Sequence, residues 1–110
     1  VNGDPILLAV RHLPGKAWVP GLDPRRQPGI EAHVGHYAAL LEAGKLVLGG
    51  PFLEADAGGF AVAAPGVGCE ELAAFAAADP AVAAGLIRFE LLTWFAPMRN
   101  PDLLRAGGGD

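Results

Sequence analysis

The side chains able to move a proton or hold a ligand are few in this sequence, and three of them are histidines: His12, His33 and His36. An imidazole titrates near neutral pH, so each is a candidate acid, base or metal ligand. On a helical wheel of ~100° per residue starting at Ile30, the residues Val34, Tyr37 and Leu41 fall within ~40° and form one apolar stripe. His33 falls at ~−60°, on the inward flank, and His36 at ~−120°, near the rim. A partly desolvated His33 is a candidate proton acceptor, and the same position also suits a core histidine satisfied by a backbone carbonyl. His33 and His36 are close enough on a helix to share a metal, with His12 completing a three-histidine set. No glutamate lies between them as a hydrolytic metal motif requires, so no metal and no other cofactor is expected. Asp79 precedes Pro80, the pattern of a helix start in which the carboxylate caps free N–H groups. A cap leaves one carboxylate oxygen free, and that oxygen could orient His33 as in carboxylate–histidine dyads.

The remaining candidates are weaker. The chain contains no serine, which excludes a serine nucleophile. Cys69 is followed by Glu70 and Glu71, whose charges oppose a thiolate, so a catalytic cysteine is not expected. Gly49-Gly50-Pro51 lacks the Lys and Ser/Thr of a phosphate loop and suits a bulge that re-aims side chains at a pocket. Arg11, at the end of the first strand, suits an anionic substrate group or an ordinary surface ion pair. His33 and Asp79 are therefore the candidate catalytic pair, and Arg11, His36, Gly50 and Pro51 the candidate substrate-binding positions. Trp94 and Phe95 read as core or dimer contacts rather than a stacking platform.

The elements that must position these residues follow from periodicity and punctuation. Residues 5–13 read as a strand, apolar on both faces for its first half and polar at Arg11 and His12, which point to opposite faces. Residues 14–29 form a long connection punctuated by Pro14, Pro20, Pro24 and Pro28, of a length more often functional or disordered than a simple connector. A helix over 30–43 stops at Gly44. A short strand at 45–52, an edge or bulged one because of Pro51, turns through 54–59 into a return strand at 60–64. A second helix over 69–78 carries Glu70 and Glu71 at its positive end and stops at Asp79-Pro80. A short turn at 80–84 leads to a last strand at 86–95, and the tail beyond holds one turn at 102–105. The order β-α-β-β-α-β predicts an α+β, ferredoxin-like fold: a four-stranded antiparallel sheet with two helices on one face. The strands are apolar on both faces, so a second copy of the sheet is expected against the open side.

Composition bounds the function. With 110 residues the chain is one domain, expected over 1–96 with a tail at 97–110. Apolar residues at 52% and charged ones at 18% exclude disorder. A net charge of −4, with basic residues scattered, argues against nucleic acid as a partner. The apolar stretch at 72–87 is split by Asp79-Pro80 and is shorter than the ~20 residues of a membrane span. Residues 1–4 lack the basic start of a signal peptide. The single cysteine fits a reducing compartment, so a cytoplasmic location is expected.

Taken together, His33, Glu42-Ala43-Gly44-Lys45-Leu46, Gly50-Pro51, Gly59-Phe60 and above all Ala78-Asp79-Pro80-Ala81-Val82-Ala83-Ala84-Gly85-Leu86, before a strand ending in Trp94, resemble the YCII-related (YciI-like) family. The resemblance implies a dimeric α+β barrel, two sheets packed face to face, and a pocket whose His–Asp pair acts as acid and base. Those positions match His33 and Asp79. One branch of the family eliminates chloride from a chlorinated hydroxyquinol, and the fold is shared with muconolactone isomerase. This chain departs from the family at Ala81, where an aromatic is usual, and at Glu31-Ala32, which replace an Arg-Pro pair, although Arg25 and Arg26 lie upstream. The expectation is a homodimeric lyase- or isomerase-type enzyme, without cofactor, acting on a small organic acid or phenol. The alternative is a non-catalytic ligand-binding or accessory domain. An enzyme needs His33 and Asp79 in hydrogen-bonding reach beside an open pocket, whereas an accessory domain has them apart or sealed by packing.

Overall fold

A computed structural model describes residues 5–103. The expected start at 1–4, the end of the turn at 104–105 and the glycine-rich end at 107–110 lie outside those residues. In chain order the elements are β1 (Ile6–Pro14), a 3-10 turn (Pro24–Arg26), α1 (Ile30–Glu42), β2 (Leu46–Pro51), β3 (Gly59–Ala63), α2 (Cys69–Ala77), the short α3 (Pro80–Ala83) and β4 (Ile87–Phe95). The four strands form one antiparallel sheet in the order β2-β3-β1-β4. This is the ferredoxin-like α+β arrangement, with the two long hairpin-flanking helices on one face.

Strand alternation divides the sheet. Val10 of β1 and Ala61 and Ala63 of β3 face the helices, and with Leu46, Tyr37, Leu40, Leu72 and Ala76 they make the main core. The open face carries Leu7, Val47, Val62 and Ala64, with Phe60 packed beside them. Trp94 and Phe60 meet edge to face there, with ring centroids 5.6 Å apart, and Trp94 and Leu48 remain nearly half exposed. β2 is an edge strand, as Pro51 requires, and its register against β3 slips between Leu46 and Leu48. The irregularity thus falls just before Gly49-Gly50.

The buried side of α1 is rotated from the sequence expectation. Tyr37 and Leu40 are buried, while Val34 and Leu41, expected inward, are more than half exposed. The inward face is therefore centred near His33, about 60° from Ile30 on the wheel. A wheel assigns every apolar residue to the core, whereas Val34 and Leu41 line an open cavity.

Residues 15–29, between β1 and α1, are an ordered arm. The Gln27 amide, 1% exposed, donates from Nε2 to the Val19 and Leu22 carbonyls and accepts from the Val19 amide. Asp56, in the β2–β3 turn at φ 58°, accepts at one carboxylate oxygen from the Trp18 indole and from the Gly21 amide, both at 2.9 Å. Trp18 also packs with Ala81, Leu86 and Ile87, so the arm is anchored at both ends. Gly58 closes the turn against β1 at φ 81°, where a Cβ would stand 1.9 Å from the His12 carbonyl oxygen. Only glycine permits that approach beside His12.

Candidate functional site

Two helices and one strand bring four side chains together. His33 comes from the inward face of α1, and Asp79 is the N-cap of α3. The Asp79 backbone carbonyl accepts from Val82, and its Oδ1 accepts from the Ala81 amide at 2.9 Å. Its other oxygen, Oδ2, accepts from His33 Nδ1 at 2.6 Å. Cap and dyad are thus two uses of one carboxylate. Asp79 is fully buried, whereas the His33 side chain keeps 20% of its surface. His33 Nε2 has no hydrogen-bond partner among the described residues, and no buried side-chain nitrogen or oxygen there lacks one. Nε2 is therefore the ring nitrogen left accessible.

Next to the dyad stands a second pair. His12, on the helix face of β1, and Tyr37, one turn along α1 from His33, share a hydrogen bond of 3.0 Å between Nε2 and the hydroxyl. The His12 ring meets His33 edge-on, with centroids 4.8 Å apart. Burial, and then the neighbouring His33, push the His12 imidazole down to about 4, with Asp79 pulling weakly the other way. Burial, with the Asp79 charge adding to it, raises the Tyr37 hydroxyl well above its ordinary range. Both groups are therefore neutral at pH 7. Burial also works against the Asp79 carboxylate, yet the His33 bond, the Ala81 amide and the nearby imidazoles outweigh it and hold its pKa below the usual value. Asp79 is a carboxylate at neutral pH, so its partner Nδ1 carries the proton, leaving Nε2 as the nitrogen that faces a ligand.

His12 makes stability depend on pH. An unfolded histidine takes up its proton below about 6.5, but the buried one does so only near 4. Between those values the unfolded chain binds more protons, so stability falls as pH falls. The expected loss by pH 4 is about 3 kcal/mol relative to pH 7. Asp79 adds a further loss only at lower pH, as its own depressed value is passed. Urea titrations across this range should show that slope, and His12→Asn should flatten it.

Around these groups lies an open cavity of about 580 Å³. Its wall includes His12, His33 and Tyr37, apolar surface from Ile30, Val34 and Leu41, and backbone from the β2–β3 edge. The volume suits a small ring-sized molecule. Of the expected substrate-binding positions, Gly50 and Pro51 line it. Arg11 does not: it pairs with Phe60 and Glu90 on the open face of the sheet, and alternation turns it away from its neighbour His12. His36 is also elsewhere. Its Nε2 donates to the Phe75 carbonyl at 2.7 Å, and its ring stacks on Phe75 at 3.9 Å, tying α1 to α2. His36 Nε2 is thus engaged by α2 and stands apart from the His33–Asp79 pair. The set that does converge is His12, His33 and Asp79, whose ligand atoms lie within 4.8 Å of one another. Two imidazoles and a carboxylate suit a metal chemically, but the Asp79–His33, Asp79–Ala81 and His12–Tyr37 bonds already engage them.

Tyr37, which the apolar stripe places in the core, also lines the cavity, as do Arg25 and Trp18 of the 15–29 arm. No local signal marks them. Tyr37 meets His12 across 25 residues of chain, and the arm has no periodicity to read.

A family model for the YCII-related domain matches residues 6–94. The chain belongs to the YCII-related family. Among solved structures, 5-chloro-2-hydroxyhydroquinone dehydrochlorinase from Burkholderia phenoliruptrix AC1100, in complex with 2,5-dihydroxybenzoquinone, is 20% identical to it. The match covers 79% of this chain and 92% of that one, with a TM-score of 0.49. No curated protein matches the chain. No helix among the described residues of this YCII-related domain is long and apolar enough to cross a membrane.

Proposed function

We propose that this YCII-related domain is a cofactor-independent acid–base enzyme of the lyase or isomerase type, acting on a small organic acid or phenol. The observation that carries the reading is the His33–Asp79 bond of 2.6 Å, with its carboxylate buried and its imidazole on the wall of an open cavity. His33 Nε2 accepts a proton from carbon or oxygen of the ligand. Asp79 fixes the ring's tautomer and stabilises the imidazolium that forms. The His12–Tyr37 pair, neutral and adjacent, supplies a hydrogen-bonding contact to an oxygen of the ligand as charge develops on it.

The domain is proposed to work as a homodimer, with a second sheet covering the exposed Leu48 and Trp94 of the open face, as the family's dimeric barrel implies. The cytoplasm is the proposed location, in keeping with the exposed and unpaired thiol of Cys69. The domain proper is proposed to end near residue 96.

The experiment is isotope exchange. Protein in D2O is incubated with a panel of small enolisable acids and phenols, and deuterium entering the substrate carbon is followed by NMR. Acceleration over buffer for at least one member is expected. A panel whose members bind the cavity yet exchange no faster than in buffer rejects the reading in favour of a binding domain.

A further inference from the structure

The cavity wall carries one fixed positive charge. Among the described residues Arg25 is the one arginine or lysine that lines the cavity, and Glu31 is the one carboxylate. Arg25 is delivered by the 15–29 arm, and its orientation is set locally. Asp23 caps the 3-10 turn by accepting from the Arg25 amide at 2.8 Å. The same carboxylate takes Arg25 Nε at 3.0 Å and Nη2 at 2.7 Å, a two-point clamp on the guanidinium. An arginine has five N–H donors, so the Nη1 pair remains for another acceptor. The arm itself is held by the buried Gln27 amide and by Asp56, so the charge is presented from an ordered segment.

An exposed ion pair of this kind adds little to stability. What it does supply is direction, because a planar guanidinium held on one edge offers its other edge to a planar anion. We propose that Arg25 is the anion anchor of the cavity, selecting small organic acids whose carboxylate meets the guanidinium while the remainder lies on the apolar wall shared with His33. Glu31, on that wall, disfavours a second negative group, so the favoured ligand is a monoanion. The inference rests on the cavity being the ligand site and goes beyond it by fixing the ligand's charge. It also moves the anchoring role from Arg11, on the opposite face of the sheet, to a residue of the arm.

The test is calorimetric titration of the intact protein, at neutral pH, with matched acid–amide pairs: benzoate and benzamide, 4-hydroxybenzoate and 4-hydroxybenzamide, lactate and lactamide. For at least one pair the acid is expected to bind about tenfold tighter than the amide. Arg25→Gln should abolish that preference by weakening the acid alone, and Arg25→Lys should restore part of it. Equal binding of acid and amide in every pair, no binding of any member, or a preference that survives Arg25→Gln overturns the proposal. The readout is binding and not turnover. An Arg25-dependent preference in a protein that exchanges no proton would therefore sink the catalytic reading and leave the anchor standing.

Discussion

His33→Asn is expected to slow deuterium exchange into a bound substrate by about 10²–10⁴-fold while leaving the fold in place. The asparagine amide nitrogen occupies nearly the position of Nδ1, so Asp79 keeps a donor at the end of a hydrogen bond now 2.6 Å long. What is lost is Nε2, the unbonded nitrogen of a ring on the cavity wall. The His33 side chain is partly exposed and its removal opens no deep void, so stability should move little. The measurement pairs exchange rates with urea denaturation on the same samples. Wild-type exchange in a folded His33→Asn protein would show that another group accepts the proton.

Asp79→Ala should have the opposite balance. It removes a fully buried carboxylate that caps α3 and holds His33, leaving the Ala81 amide and His33 Nδ1 without their partner. Loss of a cap costs about 1 kcal/mol and leaving the His33 N–H without its acceptor about 1–3 kcal/mol more, so about 3 kcal/mol of stability should go. Asp79→Asn separates structure from chemistry. Its amide oxygen still accepts from Ala81, so the cap survives and the stability loss is smaller. Its NH2 group then faces His33 Nδ1, which must become an acceptor, and the ring proton moves to Nε2. Exchange should fall about 10²–10⁴-fold in a protein that still folds. Denaturation midpoints for the two variants, read beside their exchange rates, check both halves.

The elements were legible in the sequence because each is marked locally. Pro51 confined β2 to an edge, Gly44 stopped α1, and Asp79-Pro80 separated α2 from α3. The orientation of α1 was less legible. Periodicity finds an apolar stripe but not whether it meets a core or a cavity, and Val34 and Leu41 meet the cavity. His33 and Asp79 stand 46 residues apart, and nothing in their spacing sets them at 2.6 Å; the family resemblance carried that expectation. Arg11 and Arg25 show the limit most plainly. The first sits on a readable strand, but the face it occupies is the open one. The second sits in a proline-rich arm whose course depends on the Gln27 and Asp56 hydrogen bonds, which no periodicity announces.

The most direct measurement is the tautomer of one ring. With histidine nitrogens labelled, NMR at neutral pH should find the His33 proton on Nδ1, hydrogen-bonded to Asp79, and a lone pair on Nε2 toward the cavity. A His33 ring carrying its proton on Nε2 alone, with Nδ1 bare against the carboxylate, would contradict the account.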